Sequence, residues 1–275
     1  GMPDYSGGIL DPKVVLEKAA SVTRERYPNA DDVLVDDHIA TEYQADGRSV
    51  TFDDTFTKIL TEKGKREHKM LTRRFVKPYS LASYALVEVY RPDGSMISVD
   101  VATQSKVMVD RSQMGSNIYN PDSKLFQLTV PELEIGDVLR YVAKREIVKP
   151  RVPDTWSEYE VLEYTSPICR FVYEVWGPQS RPLKSIALKD EIEGSVTYSK
   201  RVDGDQNVYR WEVADVPRMY SEPSMPPLHT VVQRLLVSTT ASWEEISKWY
   251  WNLSKPHLEA TDEMKAKIAE LTAGV

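Results

Sequence analysis

At 275 residues the chain can bury a sizeable core, either as one large domain or as one domain with an appended piece. Apolar residues make up 41% and charged residues 28%, a composition that excludes disordered and fibrous classes. The formal net charge of −7 is spread along the sequence, with no basic stripe long enough to neutralise a run of phosphates, which argues against a nucleic-acid partner.

In chain order, Asp11-Pro12 opens a helix expected to run to about Tyr27, with Val15, Ala19 and Val22 on one face and Pro28-Asn29 ending it. From Val33 the period changes to two: Val33, Val35, Ile39, Thr41 and Tyr43 share one parity, and the run stops at Asp46-Gly47. The same Asp-Gly sign stands at Asp93-Gly94, between runs at 82–90 and 95–101, and at Asp203-Gly204, between 195–202 and 207–213. Each pair predicts an antiparallel hairpin, because it tolerates the positive φ of tight turns. The basic cluster 63–74, broken by Glu67, Met70 and Leu71, reads as the solvated side of a strand or short helix. Further strand-like runs occupy 125–130, 138–148, 159–164, 168–176 and 185–188.

Many strands without intervening helices predict a mainly β fold: an antiparallel two-layer β-sandwich over 33–217, with a closed barrel as the alternative. It follows an N-terminal helix and leader over 1–32. Residues 218–275 read as a proline-rich connector, one strand within 229–237 and two C-terminal helices. The first helix spans 243 to about 253, with Ser242 and Glu245 at capping-box spacing and Pro256 interrupting beyond it. The second starts at Thr261-Asp262-Glu263 and runs through Leu271, closed by Gly274. On the first, Trp243, Ile246, Trp249, Tyr250 and Leu253 fall within an arc of roughly 120°, expected to face the core. Trp251 falls beside Glu244 on the polar side, so either the final helix folds back over it or it seats a further domain; it is the candidate interdomain contact.

The search for chemistry yields no catalytic residue, no metal ligand set and no cofactor site. Cys169 is the single cysteine and shares parity with Phe171, Tyr173 and Val175 on a strand, so it reads as a buried packing thiol. His38, His68, His229 and His257 lack metal-pair spacing. The doublets Asp31-Asp32, Asp36-Asp37 and Asp53-Asp54 read as solvated acids near turns rather than as a calcium loop. No Gly-rich phosphate loop, nucleophile elbow or His-Glu-x-x-His occurs. The 15 Tyr and 6 Trp read first as core and interface residues, and only second as a ligand platform. No run approaches a membrane span, and Gly1 ahead of Met2 looks like the scar of a removed tag, leaving room for an upstream export segment.

Four stretches in order carry a resemblance: the strand entering Asp46-Gly47, the segment 57–64, the hairpin Tyr90-Arg91-Pro92-Asp93-Gly94, and Leu133-Glu134-Ile135-Gly136-Asp137-Val138-Leu139-Arg140-Tyr141. Together they resemble the uncharacterised domain family found N-terminal to bacterial transglutaminase-like domains. Residues 237–250, with Ser242-Trp243-Glu244-Glu245-Ile246, resemble the connector into the catalytic domain there, so the likeness runs from about Val33 to the C-terminus. The resemblance implies a non-catalytic accessory domain that positions or restricts a downstream transglutaminase-like, cysteine protease-like domain in the same polypeptide, in the periplasm or at the cell surface. The catalytic residues of such a domain would follow Val275, and none is carried over. The alternatives are an independent glycan- or peptide-binding module, which an exposed aromatic row would favour, and a hydrolase, which a deep cleft with two close carboxylates would favour.

Overall fold

The computed structural model describes residues 1–115 and 119–273. Asp11 accepts a hydrogen bond from the Lys13 amide at 3.0 Å and caps helix α1 (Pro12–Ala20). The helix stops well before Tyr27, because the Ser21 hydroxyl and amide both turn back onto the Lys18 carbonyl. Val15, Ala19 and Val22 are all buried as the spacing predicts.

Strands β1 (Asp32–Tyr43) and β2 (Ser49–Ile59) form the first hairpin, turning where Gly47 has a φ of +91°. Next come α2 (Glu62–His68), β3 (Met70–Val76), β4 (Ser80–Tyr90), β5 (Met96–Ser98), α3 (Val101–Gln104), β6 (Ser105–Val109) and β7 (Ser123–Thr129). The chain continues through β8 (Val138–Ile147), β9 (Ser157–Val161), β10 (Ile168–Pro178), β11 (Ser185–Lys189), β12 (Val196–Asp203) and β13 (Gln206–Val216), then β14 (Arg234–Ser238), α4 (Trp243–Leu258) and α5 (Asp262–Thr272). All three Asp-Gly pairs close antiparallel hairpins: β1–β2, β4–β5 and β12–β13.

The fold is mainly β. One open sheet runs β12-β13-β10-β1-β2-β8-β4-β5, and two three-stranded sheets run β11-β14-β9 and β3-β7-β6. The large sheet is mixed and not wholly antiparallel as expected, because β1 and β10 pair in parallel, from Leu34 opposite Ile168 to Glu42 opposite Trp176. Eight strands lie between them in the chain, which gives the crossover that a parallel pair requires.

Both small sheets pack on the same face of the large one. Trp156, Leu162, Leu235 and Val237 share a core cluster with Ile39, Tyr43, Phe171, Tyr173 and Trp211, whereas Leu71 and Leu128 share another with Val87, Val89 and Leu139. A third cluster, on the opposite face, joins Val15, Ala19 and Val22 to Val33, Val35 and Phe56. The parity expected along β1 is therefore broken. A bulge between Leu34 and Asp36 sends Val33 and Val35 towards α1, and Ile39 and Tyr43 towards the small sheets. Cys169 likewise leaves the side of Phe171 and joins the α1 cluster half-buried, its Sγ 3.4 Å from the Tyr27 hydroxyl.

The 218–275 segment contributes β14, the central strand of its sheet, to this body. Helix α4 runs through Pro256 to Leu258, since proline removes only one ladder bond from a turn whose carbonyls can face water. Ser242 makes no side-chain cap, whereas the Thr261 hydroxyl caps α5 by accepting from the Met264 amide at 3.2 Å. The arc expected to face the core does not: Trp243 is 80% exposed and Tyr250 63%. Gly274 lies outside the described residues.

Candidate functional site

On a strand, neighbouring side chains point to opposite faces, so a doublet of acids serves both. Asp36-Asp37 on β1 and Asp53-Asp54 on β2 do this, and all four are buried rather than solvated near turns as expected. Each finds a partner from outside its own hairpin or shares one across it. On the α1 face, Asp36 accepts from Arg170 at 3.1 Å and Lys18 at 3.2 Å, and Asp54 from Arg140 at 2.9 Å. His38 lies on this face too, with Nε2 unpaired; burial above all pushes its pKa down to about 4.

On the other face, Asp37 and Asp53 meet at Thr55, whose hydroxyl lies 3.1 Å from Asp37 Oδ1 and 2.7 Å from Asp53 Oδ1. Arg73 reaches down from β3 and donates to Asp53 Oδ2 at 2.7 Å, its guanidinium beside the rings of Tyr84 and Tyr141. Arg73 points inward because it shares one face of β3 with the buried Leu71 and Phe75, so part of the basic cluster read as solvated faces the large sheet. Burial and the adjacent Asp53 carboxylate raise the Asp37 pKa well above the usual carboxylate value. Burial acts on Asp53 in the same direction, but Arg73, Asp37 and Thr55 outweigh it and the pKa is lowered. Within the pair, these surroundings favour the protonated form at Asp37 and the ionised form at Asp53.

Strand β9 completes the site. Glu158 and Glu160 alternate with Tyr159 and sit opposite the buried Val237 and Leu235, so both project towards the large sheet. Glu158 pairs with Arg145 of β8. Glu160 has no hydrogen-bond or ion-pair partner among the described residues; burial, then Glu158 and Asp53, push its pKa up to about 8. A cavity of about 330 Å³ is lined by Thr72, Arg73 and Arg74 of β3 and by Glu158, Tyr159 and Glu160 of β9, with Ile39, Thr51, Asp53, Ala82, Ala143, Lys144 and Arg145 of the large sheet also on its wall. Asp37 does not line it.

Two close carboxylates beside a cleft were the feature that would favour a hydrolase. Here Asp53 lines the cavity and is held by Arg73 whereas Asp37 does not line it, and Glu158 and Glu160 of β9 stand on the same wall. Sequence reasoning missed this cluster, although acid doublets in the middle of strands rich in β-branched residues, and an arginine of the same parity as Leu71 and Phe75, were its visible signs. Trp251 lies far from it in kind, on a helix with no buried residue; it is 56% exposed, and α5 does not fold back to seal it.

Residues 45–220 match DUF3857, a domain of unknown function for which a structure has been solved. The chain belongs to this family. No curated protein matches it. Among solved structures, this DUF3857 chain is similar to a Parabacteroides distasonis protein described as "a putative protease", with a TM-score of 0.67, 14% identity, and coverage of 87% of this chain and 49% of that one. The chain thus spans about half the length of that structure, and at this identity the likeness shows the fold alone. An M1 zinc metallopeptidase from Deinococcus radiodurans (TM-score 0.37, 9% identity, 76% of this chain and 42% of that one) and yeast LTA4 hydrolase (0.35, 9%, 83% and 33%) are more remote.

Proposed function

We propose that this DUF3857 chain is a non-catalytic accessory region of an exported bacterial protein. In this reading it positions or restricts a transglutaminase-like domain in the same polypeptide, and the two small sheets together act as the second layer of a β-sandwich. The observation that carries the proposal is the exposure of the C-terminal helices. Neither α4 nor α5 buries a residue, and Trp243, Tyr250, Trp251, Leu253, Met264, Ile268 and Leu271 are each more than half exposed. So much apolar surface on two consecutive helices fits an interdomain contact, with tryptophan as anchor. A cavity of about 470 Å³, between Tyr159 and Leu236 on one side and Trp243 and Ile246 on the other, leaves the start of α4 only loosely seated on the body.

The test compares acrylamide quenching of residues 1–275 with that of the natural full-length polypeptide, using Trp251→Phe in each to isolate the Trp251 signal. Trp251 should be shielded only in the full-length protein; equal quenching in both would remove the docking role. A peptide- or glycan-binding module is the second reading, favoured by the cleft between β3 and β9.

A further inference from the structure

We propose that the cleft between β3 and β9 takes an extended peptide segment as an added strand, with a basic side chain of that segment seated on Glu160. The proposal rests on the second reading above and names its ligand.

Three observations carry it. First, β3 pairs only with β7, and β9 only with β14, so each is the edge of a three-stranded sheet with its outer row of amides and carbonyls outside any ladder. Second, these two edges open onto one cavity over the large sheet. A strand laid there would join the two small sheets into one, adding main-chain hydrogen bonds on both of its sides. The five residues of β9 set the length of such a segment at about 16 Å of extended chain. Third, the charges around the cleft are matched except one. Arg73 holds Asp53, Arg145 holds Glu158, Arg74 holds Asp110 and Lys144 holds Glu146. Glu160, on the inner face of β9, has no side-chain partner among the described residues, and burial, then the anions Glu158 and Asp53, stand against its ionisation more strongly than Arg145 and Arg73 favour it. A ligand cation would ionise it and give it the missing ion pair, whereas a ligand anion would find the four bases on the wall, Arg73, Arg74, Lys144 and Arg145, already paired among the described residues.

The experiment uses the whole chain and a fluorescein-labelled, end-capped pentapeptide, Thr-Val-Lys-Val-Thr, followed by anisotropy and by amide hydrogen exchange near neutral pH. Binding should protect amides of β3 and β9. It should weaken at least about fivefold when the peptide lysine is replaced by glutamate, and again in the Glu160→Gln protein. A Thr-Pro-Lys-Pro-Thr peptide, which lacks the ladder donors, should not bind. Ala82→Phe, which fills the cavity wall, should abolish binding while leaving the far-ultraviolet circular dichroism intact. Unchanged affinity in Glu160→Gln, protection elsewhere than β3 and β9, or no binding at millimolar peptide would overturn the proposal. Protection of the same amides by chitohexaose, with none by the peptide, would keep the binding-module reading and remove the peptide; protection by neither would remove both.

Discussion

Arg140 closes a fork on Asp54: Nε donates to Oδ1 at 3.0 Å and Nη2 to Oδ2 at 2.9 Å, with the two side chains 5% and 0% exposed. The same Oδ2 accepts from the Ile9 and Leu10 amides at 2.7 Å and 2.9 Å, so this carboxylate also fastens the leader to the sheet. A buried pair adds little over an apolar pair of similar shape, but removing one member leaves an uncompensated charge. Arg140→Leu should therefore lose about 3–5 kcal/mol in urea unfolding. The double change Arg140→Leu with Asp54→Leu should be less damaging than Arg140→Leu alone. If the double variant is the worse of the two, the fork is not what the arginine is there for.

The opposite shifts of Asp37 and Asp53 have a direct consequence. Asparagine reproduces a protonated aspartic acid in shape and in having a donor, so Asp37→Asn should change stability at neutral pH by less than about 1 kcal/mol. Asp53→Asn instead leaves Arg73 without its anion and should cost about 2–4 kcal/mol. Chemical denaturation of the two variants side by side checks the assignment, and the reverse order of costs would place the proton on Asp53.

Glu160 makes stability fall as pH rises. Its folded pKa, about 8, lies above the 4.5 of a free glutamate, so the group's contribution is complete below about pH 4.5 and is lost as pH climbs through 8. Glu160→Gln cannot ionise and escapes that loss. The variant should match wild type near pH 4 and exceed it by about 1–3 kcal/mol near pH 9, a range reduced for the carboxyl's partial exposure to the cleft. Melting curves across pH decide this; parallel profiles for the two proteins would show that the carboxyl is ionised in the fold.

What was legible in the sequence was local. Asp46-Gly47, Asp93-Gly94 and Asp203-Gly204 announce their hairpins because the turn chemistry lies within the pair itself. The parallel pairing of β1 with β10 joins residues more than 130 positions apart, and no local pattern encodes it. The bulge between Leu34 and Asp36 changes which face each later residue of β1 takes, so a parity count begun at Val33 misplaces Ile39 relative to Val35. The acid doublets looked like surface because their cations, Arg73, Arg140 and Arg170, come from other strands. Amphipathic spacing on α4 was real, but spacing identifies a face and not the surface that covers it.

The strand crossing at Gly177 supplies the last prediction. Tyr43, at the end of β1, stacks on Trp156 with ring centroids 4.7 Å apart and planes 11° from parallel, and its hydroxyl donates to the Arg181 carbonyl at 2.7 Å. Both rings are buried, and together they join the large sheet to the β11-β14-β9 sheet. Gly177, on the adjacent β10, lies so close that a Cβ there would overlap the Tyr43 ring itself. That ring is held in front by Trp156 and at its tip by Arg181, so it cannot swing aside as the end of a flexible chain would. Gly177→Ala should therefore cost about 2–3 kcal/mol, more than the few tenths expected of an alanine on an open strand. Tyr43→Leu frees the space the methyl needs, so adding it to Gly177→Ala should cost less than Tyr43→Leu does alone. Full additivity of the two changes in urea unfolding would mean that the methyl and the ring do not meet.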